Sequence, residues 1–356
     1  MIKSFIKKLY HKINPSHKYI LFNLKLTDRN LLFLNDIYKK IELLENNLHL
    51  LNNKINNSNF FIENKLNHYQ SELDFIKKML IYNFNLKKTP KSYGLKRLLQ
   101  KANLKLLKII TNLAEKKKLN YWIDYGTLLG ALRHKGFIPW DEDVDICMLR
   151  EHYNKIYELI NNNEVLKKNY IFAVRSDCLR VYVKGTPIQI DIFPWDIYYK
   201  KIENEKEEKL FIDLIIKIKK DLNIKYNWDN LISYKPTFNF SYAKIEEIIK
   251  KRINLNKKIN RNLKEKSLFR GIECPLNIES NQPERPCNWK IIFPLKKIKF
   301  ENHYFYAPNK PEERLYLIYK NPFFWDYFRE HYDIIAKINL NTFYLLNNFL
   351  NKKIKI

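Results

Sequence analysis

Four acids fall within five positions at Asp141, Glu142, Asp143 and Asp145, with Val144 between the last two and Ile146 after them. On a strand, residues two apart face the same side. Asp143 and Asp145 then share one face while Val144 and Ile146 enter a core. Paired carboxylates repel and raise each other's pKa unless a cation stands between them. Hard oxygen donors with room for phosphate oxygens suit Mg2+ (or Mn2+), which takes one or two carboxylates and completes its shell with water and substrate. A solvated acidic turn is the competing reading, and the alternation with buried aliphatics speaks against it. A further acid stands alone among apolar neighbours in Ile188-Gln189-Ile190-Asp191-Ile192-Phe193-Pro194. Such a group is costly to bury unless it meets a cation or a donor, so Asp191 is the candidate third carboxylate. Asp196, beyond Pro194 and Trp195, reads as a cap or the end of the element.

Upstream of the acids, a strand is expected over Tyr121 to Tyr125, ending at Gly126-Thr127 where a helical stretch Leu128 to Arg133 begins. That small pair would let backbone N–H groups and a hydroxyl approach a phosphate at a helix N-terminus. Half of the chain's six glycines (Gly126, Gly130 and Gly136) lie within eleven residues here. Trp140 either stacks a base or packs beneath the acidic strand. His134 and Lys135 are either functional or ordinary surface residues.

Several elements must position these groups. Leu98, Leu99, Ala102, Leu106, Ile109, Ile110 and Leu113 mark an amphipathic helix from Leu95 to near Lys118. A helix is expected over 151–162, strands over 170–174, 179–184 and 187–193, and helical spacing over 205–220. Residues 222–290 read as irregular. Ahead of all this, residues 83–94, with Pro90 and Gly94, read as a linker. Residues 34–82 carry a heptad seam at Leu34, Ile41, Leu48, Ile55, Ile62, Tyr69 and Ile76. A companion seam at Ile37, Leu44 and Leu51 fails at Ser58 and resumes at Leu66, Leu73 and Leu80. This pattern predicts a coiled coil joining chains into a homo-oligomer, with a folded-back hairpin as the alternative. Residues 2–13, within a basic amphipathic segment 1–33, place Ile2, Phe5, Ile6, Leu9, Tyr10 and Ile13 opposite lysines. That is the composition of a helix on anionic lipid or of one docked on its own core.

Composition narrows the function. The chain has 356 residues, 65 Lys+Arg against 38 Asp+Glu, and a net charge of +27. Such an excess implies a polyanionic partner, whether nucleic acid, an anionic membrane face or phosphorylated substrates. Six glycines argue against Gly-rich dinucleotide loops, and four scattered cysteines against a disulfide scaffold. Cys147 reads as a core thiol; Cys274 and Cys287, without any C-x-x-C pair, leave a structural zinc site as a minor alternative. No stretch reaches the roughly 20 apolar residues of a membrane span. The basic N-terminus lacks the apolar core of a signal peptide, so a cytoplasmic location is expected.

Residues 121–148, which contain Gly-Thr-Leu-Leu-Gly-Ala-Leu-Arg-His-Lys-Gly-Phe-Ile-Pro-Trp-Asp-Glu-Asp-Val-Asp, resemble the signature of the LicD family, which includes bacterial phosphocholine transferases and fukutin-related proteins. Glu142 stands where the family has Asp. Asp191-Ile-Phe-Pro resembles the family's second acidic strand, and the segments at 293–303, 307–309 and 315–319 its C-terminal block, although Tyr319-Lys320 replaces the usual Tyr-Gly. The resemblance covers roughly 95–335, with 336–356 a basic C-terminal helix or tail. It implies an α/β (α+β) nucleotidyltransferase-like mixed sheet flanked by helices, preceded by the amphipathic helix and coiled coil. It also implies transfer of a substituted phosphate, for example phosphocholine, from a CDP-activated donor to a glycan or lipid-linked glycan hydroxyl, with CMP released. By that resemblance Asp143 and Asp145 hold the metal, and Asp191 completes its shell or takes the acceptor proton. Gly126 and Thr127 cradle a phosphate, Arg133, His134 and Lys135 neutralise the leaving CMP, and Trp140 and Asp141 contact the donor. Glu301 and His303 are weaker candidates. The expected place of work is peripheral, at the inner face of the cytoplasmic membrane. RNA nucleotidyl transfer is the competing enzyme reading, and an inert membrane scaffold the non-enzymatic one; neither nucleic acid binding nor loss of the acids is expected.

Overall fold

Hydrophobic periodicity builds the first long element. Leu99, Ala102, Leu106 and Ile110 recur at helical spacing on helix α1 (Gly94–Lys116), and all four are buried. The computed structural model describes residues 39–40, 42–47, 62–70, 73, 90–174, 178–221, 242–254, 266–274, 284–319 and 338–352. The chain divides into two units, Met1–Leu98 and Leu99–Ile356.

In the N-terminal unit, residues 39–40, 42–47 and 62–70 are helical. Leu44, Tyr69 and Leu73, all on the heptad seams, are buried within one chain. Gly94 has φ +62°, and a side-chain carbon there would come within 2.9 Å of His68 N and 3.1 Å of Asn64 O. The 62–70 helix therefore packs against the start of α1. The remaining seam positions, the basic helix at 2–13 and most of the linker lie outside the described residues.

The second unit holds the chemistry. Its order is β1 (Trp122–Ile123), α2 (Tyr125–His134), β2 (Asp145–Leu149), α3 (Arg150–Asn161), α4 (Glu164–Asn169), β3 (Tyr170–Val174), β4 (Leu179–Val183), β5 (Gln189–Tyr198) and α5 (Glu205–Asp221). There follow α6 (Tyr242–Ile248), which runs into a π-helical turn to Ile253, then β6 (Ser267–Arg270), β7 (Cys287–Asn288) and α7 (Trp289–Ile292). The hairpin β8 (Lys296–Phe300) and β9 (His303–Ala307) and helices α8 (Pro311–Tyr319) and α9 (Leu340–Asn351) complete it. Among the described residues the main sheet is mixed and seven-stranded, ordered β1-β2-β5-β4-β3, with β6 and β7 continuing from β5. Only β2 and β5 pair in parallel among these ladders, Asp145 opposite Asp191.

Three expectations are corrected. The strand before the acids is only Trp122–Ile123, and the helix begins at Tyr125 rather than Leu128, because Asp124 caps it by accepting the Tyr125 N–H at 3.0 Å. Strand β5 continues through Pro194 to Tyr198 instead of ending near Phe193. Pro194 is tolerated because it falls where β5 changes partner: β4 pairs with it up to Ile192 and β6 from Trp195 on. Asp196 is thus interior to the strand, fully buried, with Arg150 on both its oxygens (2.8 and 2.9 Å). Finally, the stretch read as irregular over 222–290 supplies α6, β6 and β7. Their spacing was hidden because β6 and β7 are only four and two residues long.

Helix α9 is more than a basic tail. Phe343, Leu346 and Phe349 are buried, and Lys105 of α1 caps its end by donating to the carbonyls of Phe349 (2.5 Å) and Leu350 (3.0 Å). All four cysteines are buried free thiols.

Candidate active site

The acidic segment is held in place from below by α1. Gln100 and Asn103, three residues apart on one helix face, are buried. Gln100 Nε2 donates to Ile138 O (3.2 Å) and Asp141 O (2.8 Å), and Asn103 Nδ2 donates to Glu142 O at 2.5 Å. Asn103 Oδ1 accepts the Gln189 N–H at 2.8 Å, tying the acidic loop to the start of β5. A periodicity analysis that counts only apolar residues passes over both amides, although polar side chains inside an apolar stripe are the signal.

A second lock comes from α2. Thr127 Oγ1 accepts the Asp145 N–H at 2.8 Å, and the Asp124 N–H donates to Asp145 O at 3.3 Å. The first turn of α2 therefore brackets the Asp145 peptide on both sides. Thr127 is buried and its hydroxyl is engaged in this lock. Gly126 faces the Asp141 carboxylate, and a methyl group there would meet Asp141 Oδ2 at 2.7 Å. These two residues thus aim the acids in this structure. The turn itself is strained: Tyr125 has φ +48°, a region disfavoured for a bulky side chain. It is pinned by the hydroxyl bond of Tyr125 to Glu284 (2.7 Å) and by an edge-to-face contact with Phe193.

On this frame Asp143 and Asp145 are half-buried, while Asp141 and Asp191 are buried. Asp145 lies opposite Asp191, and Asp191 lies opposite Arg180 of β4, so one row crosses three strands. Arg180 grips Asp191 through Nε (2.6 Å) and Nη2. Burial first, then the charges of Asp143, Asp191 and Asp141, push the Asp145 carboxyl well above its ordinary range, against the pull of Arg180. Arg180 escaped the sequence reading, yet it is a lone charge in an apolar strand, the same signal that marked Asp191.

The donor chemistry fits a hard divalent cation held by two carboxylates. Asp143 and Asp145 are crowded by like charge, and such an ion needs no more protein ligands than these. Among the described residues no three His, Cys, Asp or Glu side chains converge into a complete ligand set. Asp191, expected as the third ligand or a base, has both oxygens on Arg180.

At the far end of α2, Arg133 is buried and lies over the Trp140 ring (5.5 Å to its centroid). Arg133 Nε donates to His134 Nε2 at 2.9 Å. Burial, then the Arg133 charge, lower the His134 pKa to about 3. His134 is therefore a neutral acceptor near pH 7 that orients Arg133. Burial lowers Arg133 itself to about 10, so it stays charged. Trp140 packs edge-on against His134, 6.1 Å between centroids, which favours packing over base stacking for that ring. Lys135 ends the helix in the left-handed region, φ +56°. Glu301 accepts the Phe137 N–H at 3.3 Å and clamps the turn after α2, while His303 sits on β9 with its pKa lowered by burial and by Lys108.

Beneath the site, Arg314 of α8 is fully buried between Asp124 (2.9 Å) and Glu284 (2.5 Å), with its guanidinium 4.6 Å from the Trp195 ring centroid. Sequence reading found none of these three residues, because their partners lie 190 and 30 positions away.

Residues 118–253 match the LicD/FKTN/FKRP nucleotidyltransferase domain. The lipopolysaccharide cholinephosphotransferase LicD of Haemophilus influenzae is 32% identical, over 26% of this chain and 41% of its own length. An uncharacterized protein of Rickettsia typhi is 35% identical over 28% of this chain and 35% of its own. The human ribitol 5-phosphate transferase FKRP is 30% identical over 24% of this chain and 19% of its own. The chain thus spans less than half the length of these relatives.

Proposed function

We propose, for a chain whose residues 118–253 belong to the LicD/FKTN/FKRP family of nucleotidyltransferase domains, that it moves a substituted phosphate from a CDP-activated donor to a glycan hydroxyl. The observation that carries this reading is the row Asp145–Asp191–Arg180, with Asp143 two residues ahead, held by the first turn of α2. The names of two relatives, a cholinephosphotransferase and a ribitol 5-phosphate transferase, support phosphate-group transfer as the class.

In this reaction an acceptor oxygen forms a bond to phosphorus, the bond from phosphorus to the CMP oxygen breaks, and the acceptor hydroxyl loses its proton. The transition state is loose, so the protein's task is positioning and charge stabilisation. A Mg2+ or Mn2+ ion held by Asp143 and Asp145 would supply positive charge to the donor's diphosphate. Thr127 and Asp124 keep Asp145 fixed for that task through its peptide. Arg133, charged and oriented by neutral His134, lies on the connection to the acids and stabilises negative charge on the departing CMP. A buried cation in a dry setting does this without reorganising.

Charge supports the proposed place of work. A chain of +27 is drawn to an anionic membrane surface, where lipid-linked glycans are assembled. Among the described residues no helix is long and apolar enough to cross a membrane, so the attachment proposed is peripheral, through the basic N-terminal segment, with chains joined along the 34–82 seam.

The test is CMP release by the full-length protein from CDP-choline, CDP-ethanolamine and CDP-ribitol with a glycan acceptor, with and without EDTA. Release from one donor, lost with EDTA and in Asp145→Ala, is expected. Release unaffected by EDTA would refute the metal, and absence of release from every CDP donor would refute the reaction. Mass spectrometry of surface glycan from a deletion strain beside its parent would then name the transferred group.

A further inference from the structure

The geometry points to Arg180 as the cation that the protein itself presents to its substrate's diphosphate, with Asp191 as the anchor that aims it rather than a third metal ligand. This rests on the reading of a diphosphate donor given above, and adds a binding residue to it.

Three observations converge. Register comes first. Asp145 is opposite Asp191 across parallel β2 and β5, and Asp191 is opposite Arg180 across antiparallel β5 and β4. Directly paired residues share a face of the sheet, and neighbouring strands lie about 4.8 Å apart. Arg180 therefore stands on the same face as Asp145, about 10 Å away at the backbone. A diphosphate lying across the strands is within reach of both ends of this row.

The second observation is how Asp191 is used. Its two oxygens meet Nε and Nη2 of Arg180 in a fork, which fixes the plane of the guanidinium. A carboxylate engaged this way has a cation already, whereas the Asp145 carboxyl is crowded by the like charges of Asp143, Asp191 and Asp141.

The third is the setting of Arg180 in its strand. It interrupts Leu179-Arg180-Val181-Tyr182-Val183, whose other members are buried, and its side chain keeps 18% of its surface exposed. An arginine that served only to neutralise Asp191 would gain nothing from that exposure. One that reaches a ligand lying on this face of the sheet requires it. Arginine also matches phosphate oxygens with a planar fork that lysine lacks.

The experiment titrates the full-length protein with Mn2+ alone, then with inorganic pyrophosphate and with CDP at saturating Mn2+. The variants are Arg180→Met, Asp191→Asn and the double variant Arg180→Met/Asp191→Asn. The double variant leaves no unpaired buried charge and so keeps the test readable if Arg180→Met folds poorly. Mn2+ should bind Arg180→Met as tightly as wild type or more tightly, since a neighbouring positive charge is gone. Asp191→Asn should keep its Mn2+ affinity. Pyrophosphate should bind about tenfold or more weakly to Arg180→Met and to the double variant. A merely structural role would move none of these equilibria in folded protein.

Unchanged pyrophosphate affinity in both Arg180 variants would overturn the inference, as would loss of Mn2+ binding in Asp191→Asn. Wild type that binds pyrophosphate through Arg180 but ignores CDP would refute the cytidine donor while leaving Arg180 in place. Wild type that binds neither would refute both.

Discussion

Two groups of carboxylates sit less than one domain apart and have opposite fates. Beneath the site, Asp124 and Glu284 enclose Arg314, and on the next layer Asp196 and Glu273 enclose Arg150, with Arg270 and Lys219 close by. In these networks cations and anions match, and the arginines are held well above their ordinary pKa by the acids around them, although burial alone would lower them. At the β2–β5 row, Asp143, Asp191 and Asp141 all act on Asp145, with Arg180 pulling the other way and Arg133 close to Tyr319 and Asp141. Among the described residues, the carboxylates acting on Asp145 outnumber the cations. Buried acids enclosed by matched arginines are architecture; acids that raise one another's pKa are suited to bind a cation. The contrast separates function from support in a chain with many of both.

The largest effect that sharpens this comparison is Arg314→Met. It would strand Asp124 and Glu284 as buried carboxylates and cost about 3–5 kcal/mol of stability, read by urea unfolding. Activity should vanish with the fold, not before it. Asp145→Ala should do the reverse: turnover falls by roughly 100- to 1,000-fold or more, as when a charge-stabilising group is removed, while the urea midpoint holds or rises. A midpoint that drops as far as in Arg314→Met would erase the distinction between the two regions.

Thr127→Val comes next. It is close in shape but leaves the Asp145 N–H without its acceptor, costing about 1–3 kcal/mol. Turnover should fall along with stability, and Thr127→Ser should restore both. If Thr127→Val weakened donor binding and left stability untouched, the hydroxyl would be a phosphate contact and not a lock.

The smallest effect is a pH dependence. Asp145 has its pKa raised in the folded state, by burial first and then by its acidic neighbours. The folded state then binds more protons than the unfolded state, so stability from this group is full at acid pH and is lost as pH rises through the folded pKa. Asp145→Asn should raise the thermal midpoint of the metal-free protein at neutral and alkaline pH, and the gain should fade on acidification. Thermal unfolding across a pH series checks the sign.

Much of this was legible in the chain. Alternation in Asp143-Val144-Asp145-Ile146 and the lone Asp191 led to two strands that pair, because period-two patterns report which face is buried. Helix α1 and helix α3 were equally clear from apolar spacing. What escaped was partner choice. Arg314 meets Asp124 across 190 positions and Arg150 meets Glu273 across 123; no local pattern encodes such pairs. Asp196 looked like a strand end because Pro194 precedes it, yet the missing donor falls at a change of strand partner, where a proline does no harm. Arg180 was legible by the rule that found Asp191, applied to cations as well as to anions. Thr127 was read by type as a phosphate contact, whereas its fold neighbour is the Asp145 peptide.

The central claim, that the like-charged carboxylates around Asp145 bind a divalent ion, is tested most directly by Mn2+ titration of the metal-free full-length protein, followed by calorimetry and by thermal unfolding. The account predicts saturable binding that raises the thermal midpoint of wild type and of Thr127→Ser. In an Asp143→Asn/Asp145→Asn variant, folded and with a higher metal-free midpoint, both signals should disappear. Binding of equal strength in that variant, or a wild-type midpoint indifferent to Mn2+, would contradict it.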